Sequence, residues 1–390
     1  MKPPAPPKRD ARELAPAEAT LRPAPKLAYR PRKPKHYRPR IGLIGCGGIS
    51  LFHLRAYRLM GYDVAALCSR RESAARERQR EFYPKAEIYT DYRALLDRAD
   101  IDVIDLATPP GVRAVQIEDA LNAGKHVLSQ KPYCSDLATG RRLAALAKRR
   151  NVCLAVNQNG RWAPYFSYLR EFTKSGRLGK IHSVTASLAW NHTWIQGTPF
   201  ENLHHVLFFD FAIHWLDIIS CLYANEQALG VQAGVGAAGT QRVDPPLNGR
   251  AIITYPSGQA ALTLCGDTPH GNVEQLLVSG SEGLFQASGP ICAAHDVRIF
   301  TAQGECRPRL EGHWFPDGMA GAMGELLCAI EEGREPDNSA SNNLISLGLC
   351  FAVLESTRSG KSAIPGRILQ AGPGCVPETT RQPAGPKRRG

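Results

Sequence analysis

The chain has 390 residues, 43% of them hydrophobic and 22% charged, and a formal net charge of +12. The charge sits at the ends: residues 1–40 hold 12 Lys/Arg against 3 Asp/Glu and residues 371–390 hold 4 against 1, which leaves 32 of each sign in residues 41–370. A formally neutral body argues against a specific nucleic-acid partner, and with no uninterrupted apolar stretch of about 20 residues no membrane-spanning helix is expected. The Pro-rich, basic ends carry few large apolar residues, so residues 1–39 and 369–390 are expected to be disordered tails, with packing of Pro31 to Arg40 onto the body through Tyr37 the other option for that stretch. The N-terminus shows no apolar core of a secretory signal. Eleven cysteines without a Cys-x-x-Cys pair read as reduced, mostly buried thiols, and the expected compartment is the cytoplasm.

The ordered span is long enough for two domains. Its first element is the apolar run Ile41-Gly42-Leu43-Ile44, read as a strand. Gly45-Cys46-Gly47-Gly48-Ile49-Ser50 follows, and then an amphipathic helix over 51–59. Strand, glycine turn and helix in that order are the context in which a glycine motif binds a dinucleotide. Gly45 allows the tight turn, Gly47 lets the backbone approach a pyrophosphate, and the helix end with Gly48 and Ile49 faces the anion. Ser50 at the third motif position is small enough for close helix–strand packing. A second strand over 64–68 ends at Ser69-Arg70-Arg71. An NAD-binding fold places an acid there to hold the ribose hydroxyls. Here a serine hydroxyl and two guanidinium groups can instead grip a 2′-phosphate, so NADP(H) is expected, with NAD(H) the other option.

Strand and helix signals then alternate: helix 72–82, strand 87–89, helix 92–97, strand 101–107 ending at Thr108-Pro109-Pro110, helix 112–122, strand 125–128, helix 136–150 and strand 153–156. That alternation implies a doubly wound parallel sheet over residues 40–157. From residue 158 the texture changes. A helix is read over 165–175, a strand over 181–190, an aromatic- and His-rich loop to 209, and a helix over 210–223. Five β-like runs follow at 251–255, 259–265, 272–279, 283–287 and 297–301, separated by turns such as Pro256-Ser257-Gly258. Helices at 320–332 and 339–358 close the chain. The expected fold class is α/β, a Rossmann domain followed by an α+β domain (158–368) with a large, mostly antiparallel open sheet.

Five separated motifs in this order resemble the Gfo/Idh/MocA family of glucose–fructose oxidoreductase and inositol dehydrogenase-like proteins. They are the glycine turn with His53, Ala107-Thr108-Pro109-Pro110, the run from Gly124-Lys125-His126-Val127 to Gln130-Lys131-Pro132, Asp210-Phe211-Ala212-Ile213-His214, and Trp314-Phe315-Pro316-Asp317 with Met323-Gly324-Glu325-Leu326. The resemblance implies that Lys131, Asp210 and His214 are catalytic and that Thr108, Pro109, Gln130 and Lys131 line the cofactor. It also implies a homodimer or homotetramer. The residues agree with this reading. Lys131 follows a strand that should end at the carboxyl edge of the sheet, where ligands bind, and Pro132 holds it extended. Asp210 and His214, four apart on a predicted helix, are expected on one face, the carboxylate orienting the imidazole. His214 would take a hydroxyl proton while Lys131 holds the oxygen. The chain departs from the family's usual Glu-Lys-Pro at Gln130, and Arg113 stands where a histidine is common.

The substrate face is expected to use Asn157, Arg161, Trp162, Trp190, His192 and Trp194 with His214, since indole faces stack on the C–H surfaces of sugars and the polar groups satisfy hydroxyls. His192, His204, His205, Asp210 and His214 match no common metal spacing, so no metal is expected. The expected function is NADP-dependent oxidation or reduction of a sugar, polyol or related cyclic alcohol. Two alternatives within the same fold are a redox-neutral, NAD-dependent glycosidase and a non-catalytic dinucleotide-binding regulator.

Overall fold

The computed structural model describes residues 20–223 and 226–372. Its first strand, β1 (Leu21–Arg22), joins a sheet formed mostly by the second half of the chain. The first domain then runs β2 (Arg40–Ile44), α1 (Ser50–Met60), β3 (Asp63–Cys68), α2 (Glu72–Phe82), β4 (Glu87–Tyr89), α3 (Tyr92–Leu96), β5 (Val103–Leu106), α4 (Pro110–Asn122), β6 (His126–Gln130), α5 (Leu137–Arg149) and β7 (Leu154–Asn157). Its six strands are all parallel, in the order β4-β3-β2-β5-β6-β7. The chain leaves β2 in one direction for β3 and returns on its other side at β5, so the strand order reverses beside β2. A crevice opens at the carboxyl ends there. The strands are buried on both faces, which is why they read as near-continuous apolar runs.

The second domain contains α6 (Pro164–Lys174), β8 (Ile181–Ala189), a widened π-turn (Leu207–Phe211), α7 (Ile213–Leu222) and the strands β9 (Gly230–Gly236), β10 (Asn248–Thr254), β11 (Gln259–Cys265), β12 (Val273–Gly280), β13 (Gly283–Gly289), β14 (Asp296–Thr301) and β15 (Gly304–Cys306). The chain ends in α8 (Trp314–Glu332) and α9 (Ala340–Ser359). The sheet has nine strands in the order β1-β15-β14-β13-β12-β8-β11-β10-β9, antiparallel except for the β8–β11 and β1–β15 pairs. Burial alternates along β10 and β11: Ala251, Ile253, Leu262 and Leu264 point to the core while Ile252 lies half exposed on the open face. Strand β9 carries no β-like run in the sequence because Gly230, Gly234 and Gly236 dilute it; its pairing with β10 and packing against α9 impose the strand.

Helix α8 crosses back to the first domain. Its Met319, Met323, Leu326 and Leu327 share a core with Leu54 and Tyr57 of α1, so the two domains do not have independent interiors. Residues 20–39 correct the expectation of a disordered tail. They form a strap over the body: Ser167 and Tyr168 hydroxyls donate to the Tyr29 and Pro25 carbonyls, and Arg32 pairs with Glu332. The backbone N–H groups of Lys35, His36 and Tyr37 all donate to the Glu331 carboxylate at 2.5–2.7 Å, and these bonds hold its pKa down at about 2. The acidic partners lie some 300 positions downstream, so the composition of the strap alone could not reveal them. The other end is tied down too, by Leu137 N–H to the Leu369 carbonyl and Ala371 N–H to the Ser135 carbonyl. The remainder of both predicted tails, residues 1–19 and 373–390, lies outside the described residues.

A side chain at Gly324 would place its Cβ 2.3 Å from the Arg32 carbonyl oxygen. Gly324→Val should therefore lift the strap and cost about 1–3 kcal/mol in urea unfolding; an unchanged midpoint would mean that the strap does not pack there. The Glu331 contact should contribute fully above the ordinary carboxylate pKa of 4.5 and be lost as pH falls toward about 2, which a comparison of Glu331→Gln with the parent across that pH window reads directly.

Candidate active site

The glycine turn at the end of β2 has the shape a pyrophosphate requires. Gly45 sits at φ 105°, and a Cβ there would lie 2.7 Å from the Ala107 carbonyl carbon, so only glycine fits. Gly47 and Gly48 face open space with no heavy atom within 4 Å of a built Cβ. Ile49 caps α1 without a side-chain hydrogen bond, and the helix's first N–H groups, those of Ser50, Leu51 and Phe52, donate to the Gly47, Gly48 and Ile49 carbonyls at 3.1–3.3 Å. The Ser50 hydroxyl folds back onto the Gly47 carbonyl at 2.6 Å, and Arg78 of α2 reaches Ser50 at 3.3 Å. Arg78 thus brings a cation to the turn. It is one of several arginines on a charged helix, and no spacing singles it out in the sequence. At the end of β3, Ser69 is half buried, while Arg70 and Arg71 are exposed and make no ion pair or side-chain hydrogen bond. The Thr108 hydroxyl donates to Gln116 at 2.6 Å, and Pro109 is exposed at the crevice rim. These residues fit a dinucleotide.

At the carboxyl end of β6, Lys131 Nζ donates to Asp210 Oδ1 at 2.9 Å and to the Asp210 backbone carbonyl. One residue comes from each domain. Asp210 lies in the π-turn, where the Ala212 N–H bonds to the Leu207 carbonyl across five residues, and among the described residues no hydrogen bond joins its carboxylate to His214, contrary to expectation. The carboxylate is bonded to the lysine instead of the imidazole. His214 opens α7, buried edge-on against Trp314 at 5.5 Å between ring centres. Its Nδ1 has no partner. Burial, then the Lys131 charge, pushes its pKa well below the ordinary 6.5, so the ring is neutral at physiological pH.

His192 occupies the same neighbourhood. Its Nδ1 accepts from the indole N–H groups of Trp190 at 2.9 Å and Trp194 at 3.2 Å. Two donors on Nδ1 require the proton on Nε2, which is buried without a protein partner. Burial lowers its pKa to about 4, opposed by Asp210 and aided by Lys131, and its ring packs against Phe211 at 5.0 Å between centres. Trp190 is buried, stacked on Phe211 at 4.3 Å, while Trp194 is 54% exposed. Arg113 is a site residue to which the sequence reading gave no role. Its buried guanidinium donates to the Thr108 and Pro132 carbonyls, clamping the crevice rim to the Lys131 loop. Burial lowers its pKa to about 9 against the pull of Asp210.

Four expected ligand contacts turn inward. Arg161 is fully buried in a two-bond pair with Asp217, Nε to Oδ2 and Nη2 to Oδ1 at 2.6 Å each, and also donates to the Asp337 carbonyl and Asn342. Trp162 packs under Gly321, where a Cβ would come within 2.1 Å of the indole, and beneath Arg170. Asn157 is fully buried, its amide N–H on His53 and Met319. Gln130 bonds to His53 and to its own neighbour's N–H, so its side chain does not face a cofactor. Each of these side chains is polar or aromatic near a predicted strand end, and only the packing of α7, α8 and α9 decides that it points inside. No cluster of metal-ligating side chains occurs among the described residues, and no described helix is long and apolar enough to cross a membrane.

Two family models match the chain: the oxidoreductase family with an NAD-binding Rossmann fold over residues 39–158, and the GFO/IDH/MocA C-terminal domain over residues 166–286. The chain belongs to the Gfo/Idh/MocA family. It is 27% identical to the D-apiose dehydrogenase of Paraburkholderia graminis over 82% of this chain and 88% of that one. It is 26% identical to the inositol 2-dehydrogenase of Rhizobium meliloti, covering 81% and 96% respectively. The scyllo-inositol dehydrogenase of Lactobacillus casei, solved with NAD(H) and scyllo-inositol, superposes with a TM-score of 0.72 at 20% identity, covering 84% and 99%. This chain thus carries the NAD-binding Rossmann fold of an oxidoreductase family.

Asp217→Asn leaves the buried Arg161 guanidinium without its counter-charge and should cost about 3–5 kcal/mol of stability. Urea unfolding that moves by less than about 1 kcal/mol would return Arg161 to the list of surface-facing, ligand-ready residues.

Proposed function

We propose that the protein transfers a hydride between NADP(H) and a secondary alcohol or ketone of a sugar, polyol or related cyclic alcohol. The observation that carries this reading is the Lys131–Asp210 pair facing a neutral His214 at the carboxyl edge of the parallel sheet. An ammonium has three protons, and Asp210 accepts two of them. The third is left for a substrate oxygen, where it stabilises a developing alkoxide. His214 is neutral and therefore able to accept the hydroxyl proton. When bound, the nicotinamide supplies the hydride acceptor. The His192 Nε2–H, kept in place by two indoles, is a donor for a second substrate oxygen, and the exposed Trp194 face suits a sugar ring. The sugar and polyol dehydrogenases among the relatives support the same substrate class.

The preference for NADP rests on Ser69, Arg70 and Arg71. The residue that follows β3 is a serine and not a carboxylate, and among the described residues neither guanidinium group is engaged. The half-exposed apolar residues on the open sheet face, Ile252 and Leu277, support self-association there. No observation favours the redox-neutral glycosidase, and a sensor has no use for the Lys131–Asp210–His214 set.

The deciding assay is the appearance of reduced-nicotinamide absorbance with NADP⁺ or NAD⁺ and pools of sugars and polyols. Lys131→Ala should lower kcat/KM by about 10³-fold or more while the dinucleotide Kd stays nearly constant; near-normal turnover would refute the assignment. Arg70→Ala combined with Arg71→Ala should abolish any preference for NADP over NAD, and tighter NAD binding by the parent would overturn the cofactor reading. Because the His214 pKa lies below 6.5, its base form persists as pH falls past that value. The acid limb of kcat/KM should therefore bend below pH 6.5, and a midpoint above it would exclude His214 as the base.

A further inference from the structure

Beneath the Lys131 loop lies a chain of buried polar groups whose donor and acceptor roles can be worked out one from the next. The Lys131 backbone N–H can only donate, and it meets Gln130 Oε1 at 3.2 Å. That contact orients the amide, so Gln130 Nε2 is the end that faces His53 Nε2, 2.7 Å away. An amide nitrogen can only donate, and His53 Nε2 must therefore be the bare, accepting nitrogen. Asn157 Nδ2 approaches the same atom at 3.2 Å and makes the same demand. The imidazole proton is then on Nδ1, which lies 2.7 Å from Asp105 Oδ2. Tyr57 donates to that same oxygen at 2.7 Å. Asp105, His53 and Tyr57 are fully buried, and Gln130 nearly so.

These four residues come from three rigid elements: Asp105 from the centre of β5, His53 and Tyr57 from α1, Gln130 from the last position of β6. The chain of bonds is directional and closes on the backbone that carries the Lys131 side chain. A glutamate at position 130 could accept the Lys131 N–H equally well. It would also present an oxygen to His53 Nε2, and the ring would have to carry both protons between two carboxylates. A leucine could do neither.

We propose that Gln130 is a positioning residue for Lys131, held in one orientation by the buried relay from Asp105 through His53. This rests on the reading that Lys131 meets the substrate. Asp105 acts at the far end by fixing the His53 tautomer, and its charge stays two residues removed from the reacting groups. The neutral amide leaves Asp210 as the sole carboxylate bonded to Lys131 among the described residues.

The test uses the full-length protein with ¹⁵N-labelled histidine, the His53 ring signals being assigned by their loss in His53→Gln. The relay requires a neutral His53 protonated at Nδ1 in the parent and a doubly protonated ring in Gln130→Glu. In steady-state kinetics Gln130→Leu should lower kcat by about 10–100-fold with KM and dinucleotide Kd within about threefold, the signature of a misplaced rather than a missing group. Gln130→Glu should recover most of that loss because it still accepts the Lys131 N–H. A parent His53 protonated at Nε2 overturns the proposal. So does a Gln130→Leu enzyme with kcat within about twofold of the parent, or one whose loss Gln130→Glu shares in full. Should Lys131→Ala keep normal turnover, the role of Lys131 falls, and the parent tautomer still decides whether the relay exists.

Discussion

One ammonium group holds the cleft in register. Lys131 stands at the end of a strand in the first domain, and Asp210 sits in a π-turn of the second. Two bonds between them fix both domains at the point where the substrate would enter. The geometry then constrains the rest. Asp210 is taken up by the lysine, so it cannot orient His214. The histidine is held by packing instead, against Trp314, and loses its charge through burial. The result is a cation bonded to a carboxylate and an imidazole that is neutral, its protonation opposed by burial and by that cation.

Elsewhere several buried charged groups are matched to partners, as the cost of enclosing an unpaired charge requires. Arg161 meets Asp217 with two parallel bonds. Glu274 receives the Tyr165 hydroxyl and the Trp215 indole N–H at 2.8 Å each inside the second domain. Arg113 satisfies two carbonyls that would otherwise end at the crevice. His192 Nε2 and His214 Nδ1 are among the buried polar atoms without a partner in the described residues. Both rings belong to one aromatic cluster built on Phe211, Trp215 and Trp314.

Much of this was legible in the sequence. The alternation of apolar strands and amphipathic helices dictated the parallel sheet, and the glycine turn marked its ligand edge. Gly45 is legible because its φ and its contact with Ala107 tolerate no other residue. Lys131 and His214 were legible because short motifs carry them. Arg161, Trp162 and Asn157 misled for a physical reason: a polar or aromatic side chain near a strand end looks alike whether it faces a cleft or a neighbouring helix. Asp105 offered a signal that went unread. A lone carboxylate inside the apolar run from Ile101 to Ala107 must be enclosed, and an enclosed carboxylate must have partners.

The sequence by itself determined the two-domain α/β architecture, the dinucleotide turn and the identity of the lysine and histidine at its edge, because each depends on residues within a few positions of one another. Only the tertiary structure decided that Asp210 serves Lys131, that Gln130 looks inward to His53, and that residues 20–39 strap down onto Glu331. Those outcomes depend on groups tens to hundreds of positions apart. Local pattern carries no information about which distant donor will meet which acceptor; that is settled only when packing brings the elements within about 3 Å of one another.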